Sequence, residues 1–218
     1  APRLMAVLDP VKLVLDNYPE GQTEMLPVGN NPENEAMGSR EVPFGRVLYI
    51  EREDFMEEPP KKYFRMFPGN EVRLMNAYFV QCTGCVKDET GRIVEVHGNY
   101  DPASRGGNSP DGRKVRGTIH WVAADTAVHA EVRLYENIID EEKGVYNEDG
   151  SLNLNPDSLT VLSDCALEPA FAAAVSPDRF QFVRQGFFCV DSRDSQPGAL
   201  VFNRIVSLKS SYVLPKQS

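Results

Sequence analysis

The sequence predicts an all-β fold of barrel type, and three observations predict it. Short apolar or alternating runs recur about every ten residues. Most of the 16 glycines and 16 prolines fall between those runs, where a chain must turn. Only one short stretch carries the signals of a helix.

Residues 3–18 alternate on both sides of Asp9-Pro10. Met5 and Val7, then Val11, Leu13 and Leu15, mark two strands. The Asp-Pro step between them is a turn, because proline holds the preceding residue out of the helical region. Residues 19–40 read as a polar loop with a short strand around 25–28. A strand at 46–50 precedes one acidic helical turn, 52–58, stopped by Pro59-Pro60. Lys61-Lys62-Tyr63-Phe64-Arg65 then interleaves cations with aromatics. Residues 71–81 and 92–100 read as two strands, and 98–112 as a loop.

The sharpest local contrast lies at 111–139. Three cations, Arg113, Lys114 and Arg116, stand directly before a strand at 117–122 that holds the only tryptophan, Trp121. Residues 128–135 follow with period two: Val128, Ala130, Val132 and Leu134 face one way, His129, Glu131, Arg133 and Tyr135 the other. An acidic, Gly/Asn-rich excursion at 140–156 leads to a short strand at 159–162. Residues 168–175 are Ala-rich with an early proline and end at Ser176-Pro177, which reads as the helix. A strand at 180–190, a loop at 191–198 and a last strand at 200–207 complete the chain. No internal repeat is visible.

A chain of 218 residues can bury one large all-β core or two small ones. Its 41% hydrophobic and 25% charged content are ordinary for a globular protein. The net charge of −9 argues against a protein that coats nucleic acid indiscriminately. It leaves room for a specific RNA reader, whose negative surround repels wrong RNAs around a local basic groove. No run approaches the ~18 apolar residues of a membrane span, and no signal-peptide pattern opens the chain, so a cytoplasmic protein without membrane contact is expected. The start at Ala1-Pro2-Arg3, straight into a strand, suggests a piece of a longer chain.

Four cysteines, Cys82, Cys85, Cys165 and Cys189, include a single C-x-x-C pair. In an extended segment that spacing puts the two sulfurs on opposite faces, and no second pair exists, so reduced, buried thiols are expected rather than a metal site. No phosphate-binding glycine loop, zinc-protease motif or nucleophile elbow is present. The acidic clusters read as solvated faces, and His120 and His129 as structural. No catalytic residue is assigned.

Several blocks in one order carry a resemblance: PRLMAVLDPVKLVLDNY, MGSREVPF, EVRLMNAY, GRKVRGTIHWV, LNPDSL, FQFVRQGFFCVDSRDS and VFNRIVSL. Together they resemble the C-terminal, anticodon-binding region of glutaminyl-tRNA synthetases, class I aminoacyl-tRNA synthetases. The resemblance implies two small β-barrels in tandem, divided near 112/113 into regions 1–112 and 113–218, with terminal strands exchanged between them. It implies a parent enzyme that joins glutamine to its tRNA with ATP and Mg²⁺, through an N-terminal catalytic domain. The two signature motifs of that domain are missing here, Leu208-Lys209-Ser210-Ser211 being only an echo of one, so this part alone should be inactive and hold no cofactor.

The resemblance also implies site residues. Arg3, Gln181 and Arg184 match the readers of the middle anticodon base, with Gln181 and Arg184 three apart on one expected strand. Arg65 and Lys62 fall in the segment reading the third base, and Arg73 in the segment reading the first. Phe64 stands where a lysine is typical and Met75 where an arginine is. Phe64 offers stacking in place of charge, or else belongs to the core. Arg113, Lys114 and Arg116 are expected at phosphates. The expected partner is the anticodon loop of glutamine tRNA, and not DNA. Archaeal- and eukaryotic-type glutamyl-tRNA synthetases share the architecture, and a non-enzymatic β-barrel module binding RNA or protein is the reading from another class.

Overall fold

The structure, a computed structural model, describes residues 1–208. Its strands are β1 (Arg3–Leu4), β2 (Ala6–Val7), β3 (Pro10–Leu15), β4 (Thr23–Gly29), β5 (Ser39–Gly45), β6 (Val47–Glu51), β7 (Glu71–Leu74) and β8 (Phe79–Lys87). They continue as β9 (Ile93–Tyr100), β10 (Gly117–Ile119), β11 (Val122–Ala123), β12 (Val128–Tyr135), β13 (Leu159–Leu167), β14 (Arg179–Phe182), β15 (Gly186–Val190) and β16 (Leu200–Ser207). The expected all-β class is what the chain adopts: two barrel-like sheets, one nearly closed and one a half-barrel, with a β4–β5 hairpin beside them. No helix among the described residues is long and apolar enough to cross a membrane.

The two sheets are built alike. The first runs β10-β7-β8-β9-β3-β6-β11 and the second β1-β14-β15-β16-β12-β13-β2. In each, the first and fourth pairings are parallel and the other four antiparallel. Each half of the chain thus folds the same plan, a structural repeat that the residues themselves do not display.

Both edges of each sheet come from one short broken strand, and those edge segments are exchanged. Residues 3–7, which open the first half, form the edges β1 and β2 of the second sheet. Residues 117–123, which open the second half, form the edges β10 and β11 of the first. Sheet membership therefore changes over between β11 and β12, beyond the expected division at 112/113.

The exchange explains the unbroken apolar run Leu4-Met5-Ala6-Val7. Leu4 and Ala6 lie in the core of the second sheet, with Phe171, Phe182, Phe188 and Phe202. Met5 and Val7 lie in the other core, with Leu13, Phe44, Leu48, Val80 and Trp121. A strand buried on both faces needs apolar residues at every position, not at alternate ones. A buried carboxylate secures each joint. Glu168 accepts the Met5 N–H at 2.8 Å and is gripped by the Arg40 guanidinium. Glu51, which like Glu168 directly precedes a 3₁₀ turn, accepts the N–H groups of Leu8 and Asp9 at 2.7 and 3.0 Å and lies 3.2 Å from His120 Nε2.

Several expected elements differ. Residues 71–81 are not one strand but the hairpin β7–β8, turning at Asn76, whose φ of 58° suits a short amide side chain. Residues 180–190 are likewise a hairpin, β14–β15, with Arg184 in its turn at φ 65°. The expected helix at 168–175 is a 3₁₀ turn, Pro169–Ala173, and the strand at 159–162 runs on to Leu167. Residues 39–45, of which only 39 and 40 fall in the expected loop, pair with β4; Pro27 and Pro43 are tolerated because this ribbon is only two strands wide.

All four cysteines are free, Cys82 and Cys165 buried and Cys85 and Cys189 half-buried. A bulge between Cys82 and Gly84 breaks the expected alternation and turns Cys85 onto the same core as Cys82. Burial pushes the Cys82 thiol up to about 11 and that of Cys165 to about 12, so neither is a ready nucleophile. The motif echo at 208–211 lies, from Lys209 on, outside the described residues.

Candidate nucleic-acid interface

Parallel pairing of β1 with β14 puts Arg3 directly beside Gln181. The Arg3 Nε–H donates to Gln181 Oε1 at 2.8 Å, and Nη2 reaches Glu33 at 2.7 Å. A guanidinium and an amide side by side offer donors and an acceptor together, as a base edge requires.

Arg184 lies at the end of the same hairpin but joins a different cluster. Its Nη1 and Nη2 donate to the two oxygens of Asp54 at 2.7 and 2.9 Å, and Nη1 also faces His120 Nδ1 at 3.1 Å. Arginine only donates, so Nδ1 accepts and the imidazole proton sits on Nε2, toward Glu51. Gln185 Nε2 donates to the same Glu51 at 2.8 Å. Burial disfavours the Arg184 charge, but the Asp54 carboxylate outweighs it and raises its pKa. Asp54 is fully buried and also pairs with Arg65 Nη1 at 3.3 Å. Expected readers of the middle and third bases thus meet on one carboxylate.

This cluster is where the two sheets meet. Glu51 and Asp54 stand at the end of β6, His120 in the exchanged edge segment, and Arg184 and Gln185 in the β14–β15 turn. The expectation that Gln181 and Arg184 share a strand fails: the turn between β14 and β15 separates them, and Arg3 with Gln181 forms its own pair. Asp54 and His120 were not expected at a site. An acidic turn read as solvent-exposed hides an aspartate with no solvent exposure, and nothing in local sequence marks it.

The remaining cations divide between holding the fold and facing solvent. Arg73 donates to the Gly107 carbonyl at 2.6 Å and to Thr118 at 3.2 Å, with its guanidinium 5.2 Å from the Phe79 ring. Arg113 spends its nitrogens on Glu71, Asp101, Asp111 and Ser109, and lies over the same ring. Those carboxylates hold its pKa well above the usual arginine range. Arg113 is therefore a latch on the 101–113 loop, half-buried among those partners. Lys62, Lys114 and Arg116 are exposed, Lys62 with left-handed backbone at φ 66°.

Among the described residues no group of three His, Cys, Asp or Glu could hold a metal ion. What the geometry offers is a set of oriented guanidinium and amide groups in an acidic surround.

Two family models match the chain, both described as the anticodon-binding domain of class I tRNA synthetases (E and Q), one over residues 1–101 and the other over 118–191. The matches fall on the two structural halves. The glutamine–tRNA ligase of Clostridium kluyveri is 55% identical over 218 residues, covering 99% of this chain and 39% of that protein. Those of Clostridium perfringens and Bradyrhizobium diazoefficiens are 52% and 50% identical, covering 98% and 97% of this chain and 39% and 38% of theirs. The chain thus spans about two fifths of the length of these relatives. With both halves matched and the identity running end to end, the chain belongs to the anticodon-binding domains of class I tRNA synthetases of the E and Q type.

Proposed function

We propose that this chain reads the anticodon loop of glutamine tRNA as the C-terminal part of a cytoplasmic glutaminyl-tRNA synthetase. The observation that carries the reading is identity of 50–55% across nearly the whole chain to proteins named glutamine–tRNA ligase. In the parent enzyme an N-terminal catalytic domain joins glutamine to the tRNA with ATP and Mg²⁺; no residue of this chain is assigned to either.

An anticodon is an unpaired loop whose base edges are open to hydrogen bonding, the target sequence-specific RNA readers use. Arg184 and the Arg3–Gln181 pair take the middle base, and Arg65 with Lys62 the third. Arg73 lies in the segment assigned to the first, with two of its donors already engaged. Lys114 supplies charge to the phosphate backbone, whose neutralisation makes binding salt-dependent. Binding energy gathered here positions the distant acceptor end, so the domain contributes to the reaction without touching its chemistry.

The test is binding of the chain to anticodon stem-loops of glutamine and glutamate tRNAs, each with the middle base varied. Tighter binding to the glutamine loop is expected, with discrimination at the middle base that Arg184→Ala weakens. Equal binding to every middle-base variant overturns the reading. Preference for the glutamate loop reassigns the parent. Salt-insensitive binding to a protein, with no RNA affinity, would return the chain to the class of interaction modules.

A further inference from the structure

Phe64 is out of place for a core residue. Its neighbours Tyr63 and Met66 are buried, yet Phe64 is 46% exposed. Its ring is not bare either, because the Arg116 guanidinium carbon lies over it, 5.2 Å from the centroid. The two residues are 52 positions apart, and backbone packing brings them together. Gly117 presses so closely on Phe64 that a Cβ there would lie 1.9 Å from the Phe64 carbonyl oxygen. Only glycine permits that approach, and it sets the preceding residue, Arg116, against the ring. Close along the chain to Phe64 and Arg116, Lys61, Lys62 and Lys114 are all exposed. Arg65, next along the backbone, turns inward to Asp54, the carboxylate that also holds Arg184.

We propose that Phe64 and Arg116 form a stacking platform for an unpaired nucleobase on the 3′ side of the middle anticodon base. The proposal rests on the anticodon reading above and deepens it. Aromatic rings and guanidinium planes are the two side-chain surfaces on which unpaired bases stack. Here one backs the other, so the ring is held flat while the cation adds attraction for the adjoining phosphates. Stacking tolerates any base, because each has a π face, so the platform supplies affinity where Arg65 supplies choice. Arg116 thereby changes role, from the expected phosphate contact to the backing of a base site. The exposed lysines near Phe64 and Arg116 in sequence supply positive charge for the phosphates of a strand leaving the platform.

The experiment uses the 218-residue chain and a synthetic anticodon stem-loop of glutamine tRNA. The fluorescent base 2-aminopurine replaces either the third anticodon base or the nucleotide after it. Binding is expected to quench one of the two probes, and the quenched one identifies the stacked base. Phe64→Ala should abolish the quench and weaken binding roughly tenfold, whereas Phe64→Trp should keep both. Wild-type affinity and an unchanged quench in Phe64→Ala, with Arg184→Ala still weakened, overturn the platform and leave anticodon reading standing. Failure of the unmodified chain to bind the stem-loop overturns both. Because the Phe64 ring is outside the core, Phe64→Ala should fold, and its thermal unfolding is the control.

Discussion

Asp54, fully buried, holds the Arg184 guanidinium through both carboxylate oxygens, at 2.7 and 2.9 Å. The partners come from segments attached to opposite sheets, so one bidentate ion pair both joins the halves of the molecule and orients the guanidinium proposed to read the middle base. Asp54→Asn should leave Arg184 without its counter-charge and cost on the order of 3 kcal/mol in urea unfolding. Because Arg65 leans on the same carboxylate, discrimination at the middle and third bases should fall together. Loss at one base alone would show that the two arginines act independently.

Arg113 binds four side chains within the 101–113 loop and on β7. Arg113→Ala should loosen that loop, seen as faster limited proteolysis between 101 and 116, while RNA affinity changes less than in Lys114→Ala. A larger affinity loss in Arg113→Ala with unchanged proteolysis would restore it as a phosphate contact.

Gly117 has no room for a side chain, since the Phe64 carbonyl occupies the place. Gly117→Ala must push β10 and the Phe64 backbone apart, and overpacking of this kind costs about 1–3 kcal/mol. Thermal unfolding measures it, and a wild-type melting temperature would contradict the packing described.

His97 on β9 lies 2.9 Å from Asp16 and 3.3 Å from Glu95, one carboxylate at each ring nitrogen. The hydrogen bond to Asp16 raises its pKa, against a smaller opposing effect of burial, with Glu95 adding to the rise. A raised folded-state value stabilises the protein below the unfolded value of about 6.5 and ceases to do so as pH climbs through the folded one. The stability difference between wild type and His97→Gln should therefore be largest in mild acid and shrink above neutrality. A difference that grows with pH would contradict the assignment.

The alternating strands were legible because each buries one face. Val128 to Tyr135 shows it plainly, with Ala130 and Val132 buried and His129 and Tyr135 exposed. The two missed hairpins were not, because neither turn carries glycine: Asn76 and Arg184 take the left-handed backbone that glycine usually marks. The 3₁₀ turn at Pro169–Ala173 carries the alanines and early proline of a helix, but neither a capping side chain nor the length. Family likeness nominated Arg3, Gln181, Arg184 and Arg65, but not what each one touches. Asp54, His120 and Glu51 meet Arg184 and Gln185 only through contacts between distant parts of the chain, and such pairings leave no local trace. Arg113 and Arg116 stand three apart in one basic run, yet one is locked among carboxylates and the other lies over an exposed ring.

The swapped edge segments impose an order on the birth of the molecule. Residues 3–7 are made before the strands they pair with, since their partners β13 and β14 come more than 150 residues later in the chain. Until then Leu4 to Val7, apolar on both sides, has nowhere to hide. The early half must wait as well, for residues 117–123. Neither barrel can mature ahead of the other, and a nascent chain stalled midway would display sticky, unpaired borders to every chaperone in reach.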